Sequence, residues 1–435
     1  MAEPFRYYLM QLHYIPNHTI RNLHRLITGL SFILLYISVA YGQKYPHQLP
    51  YYDFINYDQN KLYFVVDSSS FENIFDKFDK LIFEGEGQIN IVHIGGSHIQ
   101  ADMWSGRMRK NLQRFAPGCR GGRGFIFPFK MARTNNPYYY YPEFTGEWEG
   151  CRNVQTNKDC PLGMSGISVT TRDTLARIRI TFRGKDYKGY DFNRVRVFHS
   201  ISDSSFCLDI ESRDSLVAGI VNDSVGYTEF RLSRYTDTLQ LIIEKTDSLQ
   251  TCFTLYGITL ENDDPGFIYT AIGVNGASVP SYLRCGMFET QLSTLHPDLV
   301  ILSIGINDAY DPDFDPQVFE QNYHELIGRI RSVSPNASIL LTTNNDSYRK
   351  HRYPNKNGEI VRDVMKNMAL SESCGVWDMF TVMGGFKSIS LWQKNGLAKK
   401  DKIHFTKDGY HLVADLMFQA LVKSYDYHLA KKFAQ

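Results

Sequence analysis

The sequence has no excess of charge of either sign, and this argues against binding to nucleic acid. Its 435 residues include 47 Lys and Arg and 46 Asp and Glu, so the formal net charge is +1. Proteins that bind DNA or RNA usually carry a basic excess on at least one segment. Charged residues at 21% and hydrophobic residues at 43% are ordinary for a globular protein. The length alone predicts about two or three domains.

The motifs of common metal, redox and phosphate sites are also missing. No C-x-x-C occurs among the seven cysteines, which argues against a zinc ribbon or a thioredoxin-type site. The glycine-rich stretch Gly118–Gly124 lacks the Lys-Ser/Thr pair of a P-loop and follows a predicted helix, not a strand. His93 and His98 have no third partner at metal-ligand spacing. We therefore expect neither a metal nor a cofactor.

Acidic residues are absent from Arg6 to Gly42, a stretch that ends in the longest apolar run, Leu26–Gly42. Arg21 and Arg25 precede the run, and Ala40-Tyr-Gly42 provides small residues for a cleavage site. This pattern predicts a secretory signal peptide over residues 1–42. The alternative is an uncleaved membrane anchor, although about 17 residues is the lower limit for a span. We expect an exported protein, periplasmic or extracellular in a bacterial envelope, with no stable membrane span once the leader is removed.

All seven cysteines follow the predicted leader, and an exported chain permits disulfides. Because the number is odd, at least one thiol is free or pairs between chains. Cys151 with Cys160, and Cys207 with Cys252, are candidate pairs, but the sequence leaves the connectivity open.

Strand and helix patterns describe an α/β domain interrupted by a β-rich stretch. Residues 89–94 read as a buried strand, with a helix from Ser97 to Phe115. An alternation of strands and helices returns after Pro265 and includes a helix from Ser281 to Leu295. Between them, six short alternating segments separated by Gly, Asp and Ser turns suggest a β-sandwich. We predict a doubly wound, flavodoxin-like parallel sheet between helices, with an inserted β-sandwich domain. The predicted boundaries are 1–42 for the leader, 43–88 for an N-terminal segment packing on the α/β domain, 89–125 and 266–435 for that domain, and 126–265 for the insert.

Polar residues follow the predicted strands, at the sheet edge where α/β proteins form their sites. Ser97 begins a helix, where backbone N–H groups are unpaired and the helix dipole favours an anion. His404 is suited to take the Ser97 proton, and Asp401 to orient the imidazole. The Gly276 N–H and the Asn307 amide are candidates to join the Ser97 N–H in an oxyanion hole. Ser97 alone would be interpreted as an ordinary N-cap. The presence of His404, Asp401, Gly276 and Asn307 in the same pattern favours a nucleophile for acyl transfer.

Four blocks resemble those of the SGNH, or GDSL-type, serine hydrolases. They are Gly95-Gly-Ser97, Gly276, Gly305-x-Asn307-Asp308 and Asp401-x-x-His404, in the family's order and in matching places relative to the strands. The resemblance covers residues 89–115 and 266–425. It implies a carboxylic ester hydrolase with Ser97 as nucleophile, His404 as base and Asp401 as its partner. It also implies that Gly276 and Asn307 complete the oxyanion hole with Ser97.

A looser resemblance narrows the group. The segments His98–Asp102 and Gly273–Ala277, with a β insertion between them, look like bacterial peptidoglycan O-acetylesterases, whose insert is similar to a carbohydrate-binding module. The resemblance implies an esterase that removes O-acetyl groups from an envelope carbohydrate, so that an O-acetylated glycan is its partner. One alternative is an O-acyltransferase that moves the acyl group to a sugar. Another is an inactive carbohydrate-binding protein, because Gly96 stands where the family usually has Asp.

Several further residues are candidates for substrate contacts. His98 and Asp308 lie beside the predicted catalytic residues and are candidate pocket residues, although His98 could equally sit on a helix surface. Aromatic residues make up 14% of the chain, and aromatic faces pack against sugar rings. Tyr138, Tyr139 and Trp148 are therefore candidate sugar contacts. We expect substrate discrimination in the insert and in loops such as Asp346–Gly358.

Overall fold

The computed structural model describes residues 49–64, 68–183, 190–211 and 219–434. The predicted leader lies outside these residues. Within the described ranges, no helix combines the length and the apolar character needed to cross a membrane.

The strands, in chain order, are β1 Leu62–Tyr63, β2 Gln88–Gly95, β3 Gly124–Ile126, β4 Tyr140–Phe144, β5 Glu149–Arg152, β6 Ile167–Thr171, β7 Leu175–Phe182, β8 Phe192–His199, β9 Cys207–Ile210, β10 Ile220–Asn222, β11 Tyr227–Thr236, β12 Thr238–Glu244, β13 Phe253–Glu261, β14 Gly266–Gly273, β15 Leu299–Ser303, β16 Ser338–Thr342, β17 Tyr348–Arg349, β18 Tyr353–Pro354 and β19 Gly375–Trp377. The α-helices are α1 Glu72–Asp79, α2 Ser97–Gln100, α3 Met103–Gln113, α4 Val279–Leu283, α5 Phe288–Ser293, α6 Ile306–Tyr310, α7 Pro316–Val333, α8 Asn357–Ser371, α9 Met379–Val382, α10 Ile389–Lys394 and α11 Lys407–Phe433.

The central sheet has the strand order β1-β19-β16-β15-β2-β14. Its last five strands are parallel, and their order is the flavodoxin-like 2-1-3-4-5. The predicted doubly wound fold is therefore confirmed. β1 pairs antiparallel with β19 at the edge, and at two residues it is too short to leave a pattern in the sequence.

Two predicted helices are broken in the structure. The helix expected from Ser97 to Phe115 is α2 and α3, because Asp102 between them has a left-handed φ of 51°. The helix expected over residues 281–295 is α4 and α5. There the Arg329 guanidinium donates to the carbonyls of Leu283 and Cys285 and so satisfies backbone acceptors that a continuous helix would have used.

The β-rich stretch forms two antiparallel sheets. One has the order β10-β11-β8-β13-β6-β5, with β3 also paired to β13, and the other has the order β4-β7-β12-β9. Along β7 and β12, buried residues alternate with more exposed ones, as a sheet with one core-facing side requires. Cys151 and Cys160 form the expected disulfide, whereas Cys207 and Cys252 are both free thiols, so that expected pair is wrong.

The apolar core runs without interruption from the central sheet into the inserted sheets. Val92 of β2, Ile178 of β7 and Val195 of β8 belong to one cluster of buried side chains. A buried hydrogen bond from the Phe125 N–H to the Thr270 hydroxyl also joins β3 to β14. The domain boundaries at 125/126 and 265/266 therefore remain a proposal about chain topology, since the packing continues across them.

Candidate active site

Ser97 lies at the sharp turn between β2 and α2, and glycine makes this turn possible. A side chain at Gly95 would place its Cβ 2.5 Å from Ile99 Cγ1 and 2.7 Å from the Ser303 carbonyl oxygen. Only glycine fits between these atoms, so the strand can end against α2 and leave Ser97 at the first position of the helix. The first N–H groups of a helix have no partner within it, and they are available here beside the Ser97 hydroxyl.

Ser97, His404 and Asp401 form a chain of hydrogen bonds. Ser97 Oγ lies 2.8 Å from His404 Nε2, and His404 Nδ1 lies 2.9 Å from Asp401 Oδ2. Burial raises the pKa of Asp401, but hydrogen bonds from the His404 and Ile403 N–H groups and from the His404 ring outweigh it, so the pKa lies below its usual value. Asp401 is thus held as a carboxylate facing the imidazole.

Three features fix the conformation of the loop that carries His404. Lys402 adopts a left-handed φ of 55°, and the Lys399 N–H donates to the His404 carbonyl. The Asn345 side-chain amide, following β16, donates to the Ile403 carbonyl at 3.0 Å. The structure therefore gives Asn345 a positioning role. The sequence contained only its place after a strand as a signal of that role.

Gly276 and Asn307 lie on the other side of Ser97. Gly276 has a left-handed φ of 85°, which glycine adopts without strain. The Asn307 amide donates to the Ala277 carbonyl at 2.8 Å, which joins its loop to that of Gly276 and leaves a second amide N–H. Asp308 strengthens the same connection by accepting from the Val279 N–H, and burial raises the pKa of Asp308 to about 6.

Gly96 occupies a restricted space next to this loop. A Cβ at residue 96 would lie 3.1 Å from Asn307 Nδ2 and 3.4 Å from the Ala277 carbonyl oxygen. A side chain at this position would press on the Asn307 amide. The packing of this loop therefore favours glycine at residue 96, where the family usually has Asp.

His98 is buried behind His404. Its Nδ1 lies 2.8 Å from the Tyr410 hydroxyl, and its ring centre lies 5.3 Å from that of His404. Burial, together with a smaller effect of the neighbouring His404, lowers the pKa of His98 to about 3. A neutral imidazole thus supports the His404 ring. Neither His98 nor Asp308, both candidate pocket residues from the sequence, is among the residues that line the pocket.

Ser97 and His404 open into a pocket of about 560 Å³. Asn135 of the insert reaches the pocket wall, and Gln100 holds it there by donating to its carbonyl at 2.7 Å. Nothing in the sequence pattern indicated this contact between the insert and the site. The lining residues are Ser97, Ala101, Met103, Asn135, Asn275, Gly276, Ile306, Asn307, Tyr310, Lys399, Ile403, His404 and Tyr410.

The three candidate sugar contacts differ in exposure. Tyr138 is 62% exposed, and its ring lies under the Lys407 ammonium at the start of α11, three residues after His404. Tyr139 is 8% exposed, and Trp148 is 6% exposed with its indole N–H donating to the Thr145 carbonyl. Only Tyr138 among them offers a wide aromatic surface to solvent.

Residues 255–412 match the model of the GDSL-like lipase/acylhydrolase family. The chain carries a GDSL-like acylhydrolase domain. By this family match it is a carboxylic ester hydrolase. The matched range includes Gly276, Asn307, Asp401 and His404, and the fold brings Ser97 to them from outside it. A search of curated proteins found no match.

The hydrolase is similar in fold to a solved peptidoglycan O-acetylesterase, with a TM-score of 0.67 and 21% identity. The alignment covers 84% of this chain and 99% of the other. A lipase/acylhydrolase from Enterococcus faecalis aligns over 36% of this chain and 76% of its own, with 20% identity and a TM-score of 0.29. An acetylxylan esterase from Geobacillus stearothermophilus aligns over 37% and 73%, also with 20% identity and a TM-score of 0.29.

Proposed function

We propose that the hydrolase is an exported serine esterase that removes O-acetyl groups from a cell-envelope carbohydrate, with peptidoglycan as its substrate. The hydrogen-bond chain from Ser97 through His404 to Asp401, at the floor of an open pocket, carries the proposal. A serine aligned with a histidine and a carboxylate suits nucleophilic attack on an ester.

In the proposed reaction, Ser97 Oγ attacks the carbonyl carbon of the acetyl ester while His404 Nε2 takes the serine proton. Asp401 stabilises the imidazolium that forms. The Ser97 N–H, the Gly276 N–H and the Asn307 amide face the negative charge on the tetrahedral oxygen. The sugar oxygen then leaves with the proton from His404. Water, deprotonated by His404, attacks the acetyl-enzyme and releases acetate and free Ser97.

The choice of substrate is supported by two features of the site. The pocket is open and large enough for an acetyl group with part of a sugar ring, and exposed Tyr138 follows the pocket residue Asn135 by three positions. The fold is similar over most of the chain to that of a peptidoglycan O-acetylesterase. Export is supported by the leader pattern in the sequence and by the Cys151–Cys160 disulfide, since such bonds persist in oxidising compartments.

The test compares acetate release from O-acetylated peptidoglycan and from acetylated xylan, using the mature protein and Ser97→Ala. We expect release from peptidoglycan by the wild type and loss of that release in the variant. A fluorophosphonate probe should label the wild type at Ser97. Absence of labelling, with peptidoglycan binding retained, would instead support an inactive carbohydrate-binding protein.

A further inference from the structure

A short hairpin of β17 and β18 presents a run of cations at its turn. Arg349-Lys-His-Arg352 connects the two strands, and Lys350 and His351 both have left-handed φ angles. Lys350, His351 and Arg352 are exposed. The turn thus exposes its charges to solvent.

The hairpin is attached to the wall of the candidate active site. The Lys350 N–H donates to the Tyr310 hydroxyl at 2.9 Å, and Tyr310 lines the pocket of Ser97. The Tyr348 N–H donates to the Lys402 carbonyl at 3.0 Å, within the loop that carries His404. The Lys402 ammonium lies 4.3 Å from the centre of the Tyr348 ring. The cations of the turn therefore border the pocket.

The loop before His404 adds cations to the same border. Lys399 lines the pocket and is exposed, and Lys400 beside it is also exposed. We call the six residues that make up this charged border the basic rim. They are Arg349, Lys350, Arg352, Lys399, Lys400 and Lys402.

Asp401 is the only carboxylate in the two loops that form the basic rim, and it faces the His404 ring. Within the described part of the chain, no carboxylate forms an ion pair with any of the six members of the basic rim, whereas Arg107 with Asp415 and Arg329 with Glu289 are paired. Like charges placed close together repel, so six unpaired cations around one pocket favour an anionic partner. This concentration occurs in a chain whose net charge is only +1.

We propose that the basic rim binds carboxylates on the glycan that carries the acetyl ester, so the enzyme selects acidic acetylated glycans over neutral ones. The inference rests on the proposed function and specifies its substrate class. The guanidinium and ammonium groups lie on two separate loops. They can therefore bind several carboxylates spaced along a glycan chain more readily than one buried anion. An uncharged acetylated xylan would lack these contacts.

The test uses O-acetylated peptidoglycan before and after its carboxylates are converted to neutral amides with a carbodiimide and ethanolamine. Acetate release is measured for the wild type, for Lys350→Gln/Arg352→Gln, and for Lys431→Gln as a control that removes one distant positive charge. Lys431 lies 24 residues beyond Lys407 on α11, about 36 Å along the helix. Hydrolysis of p-nitrophenyl acetate normalises each sample for active enzyme.

We expect kcat/KM of the wild type to be about fivefold higher for the intact glycan than for the amidated one, and this ratio to fall at about 0.5 M salt. The double variant should lower the ratio to about two, because four cations of the basic rim remain, and Lys431→Gln should keep the wild-type ratio. Equal rates on both glycans in the wild type, or an unchanged ratio in the double variant, would overturn the role of the basic rim but leave the proposed esterase function intact. No acetate above the Ser97→Ala background from either glycan would overturn the proposed function as well.

Discussion

At the scale of single residues, Gly96 is the position where the site differs from the usual family pattern. Its missing side chain leaves room for the Asn307 amide, 3.1 Å from where a Cβ would lie. We expect Gly96→Asp to lower kcat/KM on p-nitrophenyl acetate about tenfold, because a displaced oxyanion donor stabilises the transition state less well. A gain of activity would show that the family's Asp fits here and that Gly96 weakens the enzyme.

Asn307 itself offers a second test at this scale. It lines the pocket together with Ser97 and Gly276, and removal of one oxyanion donor typically costs about 10²–10³ in kcat. Asn307→Ala should show a loss of this size with little change in KM. Asn395→Ala is the matched control, since Asn395 is exposed and its amide donates only to the nearby Leu391 carbonyl. A loss below threefold for Asn307→Ala would exclude the proposed role.

The sequence was informative about site residues whose chemistry defines them. Ser97, Asp401 and His404 could be chosen because a nucleophile, a carboxylate and a base follow predicted strands or precede a helix, and the fold does bring their side chains into hydrogen-bond contact. The supporting contacts could not be chosen in this way. Asn345 and Gln100 act through amide hydrogen bonds to distant backbone atoms, and an amide residue in a loop carries no pattern that identifies its partner.

At the scale of elements, the break between α2 and α3 depends on a buried ionic cluster. Asp102 accepts from Arg109 and from Arg123, and all three side chains are almost fully buried. Burial raises the pKa of Asp102, but the two guanidinium groups outweigh it and hold the pKa below its usual value. The carboxylate therefore stays charged and fixes the left-handed turn that starts α3.

Asp102→Asn would leave two buried guanidinium groups without a carboxylate. We expect the free energy of unfolding to fall by about 3–5 kcal/mol, because an uncompensated buried charge is costly. Urea denaturation measures the change. The control is Asp363→Asn, which removes an exposed carboxylate paired with Arg362 and should cost less than about 1 kcal/mol. If both variants lost a similar free energy of unfolding, the buried ionic cluster would not be what stabilises the break between α2 and α3.

Asp308 links two elements, α6 and the start of α4, and gives stability a pH dependence. Burial raises its pKa to about 6, whereas an unfolded Asp titrates near 3.8. Between these values the folded state binds more protons than the unfolded chain, so the contribution of Asp308 to stability decreases as pH rises from about 4 to about 6. Above that range the full cost of the buried charge is present.

Asp308→Asn removes this titration. The stability of the variant relative to the wild type should therefore improve by about 2 kcal/mol between pH 4 and pH 7, as measured by urea denaturation at both values. The comparison cancels other titrating groups, such as Asp346, because both proteins contain them. A difference that does not change with pH would show that Asp308 titrates normally.

Element prediction worked best where one pattern ran without interruption. Alternating spacing predicts strands over Leu175–Phe182 and Thr238–Glu244, and helical spacing predicts a helix over Pro316–Val333. These are the observed bounds of β7, β12 and α7. It failed where a long-range contact decided the backbone. The Arg329 guanidinium ends α4 from a helix more than forty residues away, and no local pattern contains that information.

At the scale of the whole molecule, an insert was evident from the order of the motifs, but its integration was not. Blocks about 300 residues apart in sequence meet at one site, so the β-rich stretch between them interrupts a single α/β unit. Sequence patterns assign residues to sheets, but they do not reveal whether two sheets share a core. Here the buried side chains of both form one cluster, and Asn135 of the insert lines the pocket.

This shared core predicts that the described fold unfolds as a unit. Trp148 is the only tryptophan of the insert, while Trp104, Trp377 and Trp392 lie in the α/β part. Because apolar contacts continue between the two parts, exposing one removes the packing partners of the other. Fluorescence-detected urea unfolding of the wild type and of Trp148→Phe should therefore give single transitions with coincident shapes. A phase present in the wild type and absent from Trp148→Phe would mean that the insert unfolds independently. In that case, a chain lacking residues 126–265 should also fold, whereas a shared core predicts that this deletion yields insoluble protein.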